Sequence, residues 1–242
     1  MIGRLVRRSD LGEAERAGMF ALLSRHFEGV TRRGFDADLG EKNWVVVLEE
    51  AGRLVGFSTL LIYEVPGGGE PLTVVYSGDT IMERGAWNTA ALPGSWIAAV
   101  RTLREWHPGG RLYWLLLTSG FRTYRFLPVF WRDFHPRHDA PMPIETAALL
   151  SRLAADRLGA AFFPQSGIAR LPHPQVLKPA LSYVPEGRST DPHIAFFLER
   201  NPGWIDGDEL VCLTEIAYEN LTPAGRRMWT RGRCEVREVV RA

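Results

Sequence analysis

The sequence predicts an α/β (α+β) fold built on one mixed, mostly antiparallel sheet flanked by helices, and three observations carry that prediction. Residues 44–49 (WVVVLE) and 54–65 (LVGFSTLLIYEV) are rich in β-branched and aromatic side chains and meet at Glu50-Ala51-Gly52-Arg53, a hairpin turn. Residues 72–82 (LTVVYSGDTIM) form a third strand beyond the loop that begins Pro66-Gly67-Gly68-Gly69, giving an antiparallel meander. Residues 112–118 (LYWLLLT) are apolar on both faces, as a central or parallel strand is, and follow a helical segment that opens at Pro93.

The other elements fit around this frame. Residues 2–8 form a first strand. Leu11, Met19, Leu22, Leu23 and Phe27 recur near the helical period, with Ser9 or Asp10 as cap and Glu13 as capping-box partner. Trp96, Ile97, Val100 and Leu103 give the helix after Pro93 its apolar stripe, and His107-Pro108-Gly109-Gly110 ends it. Residues 121–134 read as an aromatic helix despite Pro128. Further on, residues 143–158 and 194–200 read as helices, the second capped by Asp191-Pro192, and residues 209–217 (ELVCLTEIA) as the last clear strand. Left unpaired, that strand would offer an edge for homodimerisation.

Composition removes several function classes. The chain has 242 residues, 29 basic against 28 acidic side chains and a formal charge of +1. That length holds one large domain, or one domain with a substantial appendage. The balance argues against nucleic acid as partner, and the arginine excess near the end (Arg226, Arg227, Arg231, Arg233, Arg237, Arg241) reads as a solvated face. No apolar run approaches the roughly 20 residues of a membrane span. Arg7, Arg8 and Asp10 interrupt any signal-peptide core, so the expected location is cytoplasmic. Cys212 and Cys234 make neither a disulfide framework nor a zinc site. His135, His138 and Asp139 suggest metal spacing, but Pro136 breaks the helix on which they would converge, so no metal is expected. Asp206-Gly207-Asp208-Glu209 lacks the ligand ladder of a calcium loop and reads as a turn before a strand. Gly-x-Ser-x-Gly, Gly-x-Gly-x-x-Gly and P-loop patterns are absent from the sequence.

Strand, helix, hairpin, strand, loop, helix, strand, helix is the element order over residues 1–137, and it resembles that of the GNAT (N-acetyltransferase) acyltransferase superfamily. The chain reads as a divergent member with a long extension: 1–137 as the acyltransferase core, 138–242 packed on or completing the same sheet. The resemblance implies an acyl donor, acyl-CoA or acetyl-CoA with acyl carrier protein as the other possibility, and an amine acceptor. It also implies a phosphate-binding loop patterned Gln or Arg, two residues, Gly, one residue, Gly or Ala. The corresponding stretch here is Arg84-Gly85-Ala86-Trp87-Asn88-Thr89, with Trp87 and Thr89 in the places of the family's small residues. Arg84, Gly85, Trp87, Asn88 and Thr89 are therefore the candidate donor-binding residues, at a helix start that presents free N–H groups.

Candidates for the chemistry follow. Tyr76-Ser77-Gly78-Asp79-Thr80 is a polar run inside a strand, where Gly and Asp are disfavoured. Plain alternation puts Tyr76, Gly78 and Thr80 on one face and Ser77 and Asp79 on the other; a bulge there is the competing reading. Tyr76 and Thr80 are candidate substrate contacts. Asp79, Glu215 and His193 are candidate general bases and His135 a more remote one; a desolvated carboxylate accepts a proton from an amine. The resemblance further implies a tyrosine acid toward the leaving thiolate, a role that falls on Tyr124. The function expected is N-acyl transfer; the alternative is a non-catalytic GNAT-like protein binding a ligand or partner through the same cleft.

Overall fold

The computed structural model describes residues 1–66, 71–87, 89–188 and 190–237. Residues 67–69, Asn88 and Arg241, all used above, lie outside these. In chain order the elements are β1 (Ile2–Arg7), α1 (Glu13–His26), β2 (Phe27–Glu28), α2 (Arg32–Glu41), β3 (Trp44–Glu50), β4 (Arg53–Val65), β5 (Leu72–Met82), α3 (Ala91–Trp106), β6 (Arg111–Thr118), α4 (Phe121–Tyr124) and α5 (Phe126–Phe130). There follow α6 (Ile144–Leu158), β7 (Phe162–Phe163), β8 (Ile168–Ala169), β9 (Val176–Leu177), α7 (Pro192–Arg200), β10 (Glu209–Glu215), α8 (Pro223–Arg231) and β11 (Glu235–Val236). No helix among the described residues is long and apolar enough to cross a membrane.

Among the described residues nine strands form one sheet in the order β11-β1-β3-β4-β5-β6-β10-β8-β7, and β2 pairs with β9 apart from it. Of these described pairs only β1–β11 and β5–β6 run parallel. One face carries α3, whose Trp96, Ile97, Val100 and Leu103 pack on Leu5, Val46, Leu60, Val75 and Trp114. The other face carries Met19 and Leu22 of α1 and Phe35 and Leu39 of α2 over Val45, Val47 and Phe57, then Leu150 and Leu153 of α6 over Val74, Leu115 and Leu117.

Three sequence readings change. Helix α1 starts after Ser9 and Asp10, which sit in a separate 3₁₀ turn. Gly12 is its cap and Glu15, not Glu13, accepts the cap's N–H at 2.9 Å. The aromatic helix 121–134 splits into α4 and α5 at Arg125, because Pro128 has no N–H to offer the Tyr124 carbonyl one turn back. And β10 is no free edge. It pairs with β6 along its length, while β8 and a backbone bridge from His135 to Leu213 cover its other side, so dimerisation through that strand loses its basis.

A bulge in β5 decides how the site is built. Ser58 opposes Thr80 but Leu60 opposes Ser77, so Thr59 faces two residues, Gly78 and Asp79. β4 is continuous through this region and serves as the ruler. Leu61 and Phe57 share a face of it, and they oppose Tyr76 and Ile81, which are five positions apart. The extra residue has flipped the parity of β5. Tyr76, Asp79 and Ile81 therefore point to the face covered by α2 and α6, and Thr80 to the other, correcting the plain alternation. A Cβ at Gly78 would lie 2.6 Å from Lys42 Cε and 2.7 Å from Thr59 Oγ1, so only glycine lets the lysine pass over the bulge. Gly78→Ala is expected to lower unfolding stability by ~1–3 kcal/mol, read from denaturant melts. An unchanged midpoint would mean that Lys42 can step aside.

Candidate functional site

β5 and β6 are the parallel pair at the middle of the sheet, and their ladder ends at Ser77↔Leu116. Below that point Trp114 Nε1 donates to Ser77 Oγ at 2.8 Å, and the Trp114 ring packs on Trp96 and Trp131. Above it the strands part, with Asp79 at the opening. β10 runs antiparallel to β6, so its first residue, Glu209, arrives at the same end and, like Val211 and Leu213, on the α6 face.

Two helices bring charge to this opening and a third segment brings an amide. Lys42 caps α2 with its side chain fully buried and its ammonium on Asp38 Oδ1 at 2.6 Å. Arg157, near the end of α6, pairs with Glu41 and stacks 4.8 Å above the Tyr76 ring, while Lys42 Nζ lies 5.4 Å from that ring's centre. Gln175, just before β9, hydrogen-bonds the Asp79 carboxyl. Burial, helped by the nearby Asp38 charge and opposed by Lys42, pushes Asp79 up to about 7. Burial, with Asp79 and Asp38 behind it, pushes Glu209 up to about 8. Both carboxyls hold their protons near neutrality because desolvation penalises their charged forms. Asp79 Oδ2, Asp38 Oδ2 and Thr59 Oγ1 are buried without a hydrogen-bond partner among the described residues.

On the side of the opening toward α3 lies the stretch singled out as a phosphate loop. Arg84 and Gly85 are exposed in a 3₁₀ turn. The Trp87 indole N–H donates to the Met82 carbonyl at 2.7 Å, and Thr89 Oγ1 donates to Ala86 O at 2.8 Å. Pro93 has no N–H, and Thr89 Oγ1 also lies 3.4 Å from the Ala91 nitrogen, so the helix start presents few free donors. Positive charge stands there instead. The Arg122 guanidinium, from α4, lies 4.7 Å from the Trp87 ring and 4.7 Å from the Phe121 ring. Burial lowers its proton affinity, and the neighbouring Arg188 and Arg84 charges lower it further. None of these three arginines is in an ion pair among the described residues. Arg84 follows β5 and Arg122 follows β6, so the two flank the parted strands.

Neither a protein-family model nor a curated protein matches the chain. Among solved structures it is similar to Escherichia coli ElaA, at 13% identity, over 59% of this chain and 93% of that one, with a TM-score of 0.40. A Trypanosoma brucei acetyltransferase is similar at 18% identity, over 59% and 98%, TM-score 0.37. An aminoglycoside 6'-N-acetyltransferase complexed with coenzyme A is similar at 10% identity, over 90% and 98%, TM-score 0.40. The strand, helix, hairpin, strand, helix, strand order and the mixed, mostly antiparallel sheet expected from the sequence's resemblance to the GNAT superfamily are both present.

Within this frame the remaining candidates scatter. Thr80 shares a 2.7 Å hydrogen bond with Ser58 on the α3 face. Tyr76 is buried beneath Lys42 and Arg157, which leaves its hydroxyl strongly disinclined to ionise. Tyr124 is fully buried among Phe134, Phe196 and Phe197, and its hydroxyl donates to the Pro136 carbonyl at 2.9 Å. Its proton is committed to a core hydrogen bond, away from the opening. Glu215 pairs with Arg111 at 2.6 Å at the far end of β10, six residues from Glu209 and about 20 Å along the strand. His193 packs against His138 at 4.5 Å and Phe134, and His135 bridges to Leu213. Asn88 lies outside the described residues. Among the described residues no group of three or more His, Cys, Asp or Glu could hold a metal.

Asp38, Lys42, Arg157 and Glu209 carry the site without having been singled out for it. A signal for α2 was present: Thr31 is a capping residue, its side chain accepting from Gly34 N at 3.1 Å, and Phe35 and Leu39 stand four apart. Because Asp79 and Glu209 hold protons in the folded chain that the unfolded chain releases, raising the pH favours unfolding. The stability advantage of the Asp79→Asn/Glu209→Gln double variant over the wild type is expected to widen as pH rises from about 5 to 8 in thermal melts. A constant difference would mean that the two carboxyls titrate normally.

Proposed function

We propose that the chain is an N-acyltransferase, moving an acyl group from a thioester donor to an amine with Asp79 as general base. The observation that carries this reading is the parting of β5 and β6 with a half-buried carboxyl at the fork, its proton affinity raised to about 7. Such a group is ionised often enough to take a proton from an amine, and basic enough to hold it. The acceptor ammonium gives its proton to Asp79. The freed nitrogen attacks the thioester carbonyl, the C–N bond forms, the C–S bond breaks, and the thiolate leaves with the second nitrogen proton.

For the donor, Arg84, Arg122 and Arg188 supply charge that a glycine loop would supply through backbone N–H groups, and the Trp87 ring offers a flat surface beside them. A phosphate-bearing thioester suits that arrangement, either coenzyme A or the phosphopantetheine arm of a carrier protein. Trp87 in place of a loop glycine equally favours a second reading, a protein that binds such a ligand without turning it over.

Thiol release separates the two. Asp79→Asn is expected to lower kcat at least 100-fold while leaving donor binding intact, and a wild type that binds donor but releases no thiol with any amine fits the second reading. Donor saturating at a hundred times its dissociation constant adds ~2.7 kcal/mol to stability, so coenzyme A, acetyl-CoA, a long-chain acyl-CoA and acyl carrier protein can be ranked by melting shift. Arg84→Ala and Arg122→Ala are each expected to weaken donor affinity by roughly tenfold or more. Unchanged affinity in both would remove the arginine site.

A further inference from the structure

We infer that the acceptor is a dication, presenting one amine to Asp79 and a second, unreacting ammonium to Glu209; this rests on the transferase reading above. The charges at the opening do not close on themselves. On α2, Asp38 is taken by Lys42 and Glu41 by Arg157 of α6. Asp79 feels the Lys42 charge, which Asp38 already engages, and meets the uncharged Gln175, and its Oδ2 is buried without a partner among the described residues. Glu209 has no ion pair and no side-chain hydrogen bond among the described residues, and the charges that reach it are the like charges of Asp79 and Asp38. Arg170, which follows Glu209's ladder partner Ala169, is held by Asp208 at 2.9 Å.

A second observation comes from the floor of the opening. Thr59 is wholly buried, its hydroxyl has no partner, and it stands over Gly78 beside the Lys42 side chain. Among the described residues a hydroxyl and two carboxyl oxygens are thus buried without a partner, and Glu209 has no ion pair. Without a cation such carboxyls keep their protons, and an ammonium placed beside one lets it ionise and pair. The reaction itself brings one ammonium, to Asp79. Glu209 is then left protonated and unpaired, so a monoamine leaves the set incomplete. β5 and β10 lie two sheet spacings apart, about 10 Å where the ladder is intact and wider at the fork, with both side chains on the same face, so the two nitrogens belong to one flexible chain. A zwitterionic acceptor would set its carboxylate against Glu209 and is repelled. The second ammonium stays protonated throughout, and only Asp79 exchanges a proton with the acceptor.

Three isosteric probes test this: 1,5-diaminopentane, 5-amino-1-pentanol and 5-aminopentanoate. Thiol release is followed with acetyl-CoA, a long-chain acyl-CoA or acyl carrier protein as donor, and diamine binding without donor by calorimetry. The diamine is expected to exceed the amino alcohol at least tenfold in kcat/KM, with the amino acid slowest. Glu209→Gln is expected to erase that preference through KM, and Glu209→Asp to keep it, which separates lost charge from lost folding. Equal use of diamine and amino alcohol, or a preference that survives in Glu209→Gln, overturns the inference and leaves the transferase reading standing. Diamine binding that depends on Glu209 with no thiol released from any donor supports the dication site and overturns the transferase reading. Neither release nor Glu209-dependent binding overturns both.

Discussion

Lys42 delivers a charged ammonium to a place with no exposed surface, and the bulge of β5 is what makes room for it. Glycine at 78 lets the lysine lie across the strand. The added residue turns Asp79 to the same face, and pairing with β6 ends just before it. Remove the bulge and three things go together. Asp79 returns to the α3 side, Tyr76 and Ile81 no longer share a face, and Lys42 meets a side chain. One extra residue thus fixes which face of the sheet holds the polar cluster and where the central strands part.

Desolvation sets the properties of what the bulge gathers. In water, Asp79 and Glu209 would be ionised and indifferent to each other. Against the sheet, with α2, α6 and the Gln175 segment around them, the cost of charge is large enough to move both toward neutrality. Lys42 and Arg157 do not cancel this, because each is already engaged by a carboxylate of its own. The two ends of the opening differ in kind: on the α6 side Asp79 and Glu209 have no ion pair, and on the α3 side Arg84, Arg122 and Arg188 have none among the described residues. A ligand that is anionic at one end and meets a cationic partner at the other matches that asymmetry.

The fold was legible where local rules govern. The hairpin, β5, α3, β6 and α7 all stand within a few residues of where propensity, turn chemistry and capping place them, Asp191 accepting from His193 N at 3.0 Å as a capping residue should. Asp79 was legible because Gly-Asp inside a strand breaks a local rule. Glu209 was not, since its role comes from the pairing of β10 with β6, 91 residues apart in sequence between Glu209 and Thr118. The same strand explains Glu215: both glutamates sit on one face of β10, and only the register tells which end meets the fork. Helix α2 was hidden by its polarity and by Gly34 and Gly40 within it. Tyr124 shows the opposite failure, a residue of the right type and neighbourhood whose hydroxyl the core had already taken.

Lys42 and Lys178 are the only lysines in the chain, and they report on different things. Lys178 lies part-exposed beside β9, bonded to the Ser24 carbonyl at 2.9 Å, whereas Lys42 is sealed under the helices that cover the fork. An amine-reactive reagent therefore has one lysine within reach of solvent and one that becomes reachable only when α2 lifts from the sheet. Modification at position 42 is a built-in gauge of local opening around the fork, readable residue by residue against an internal standard at position 178.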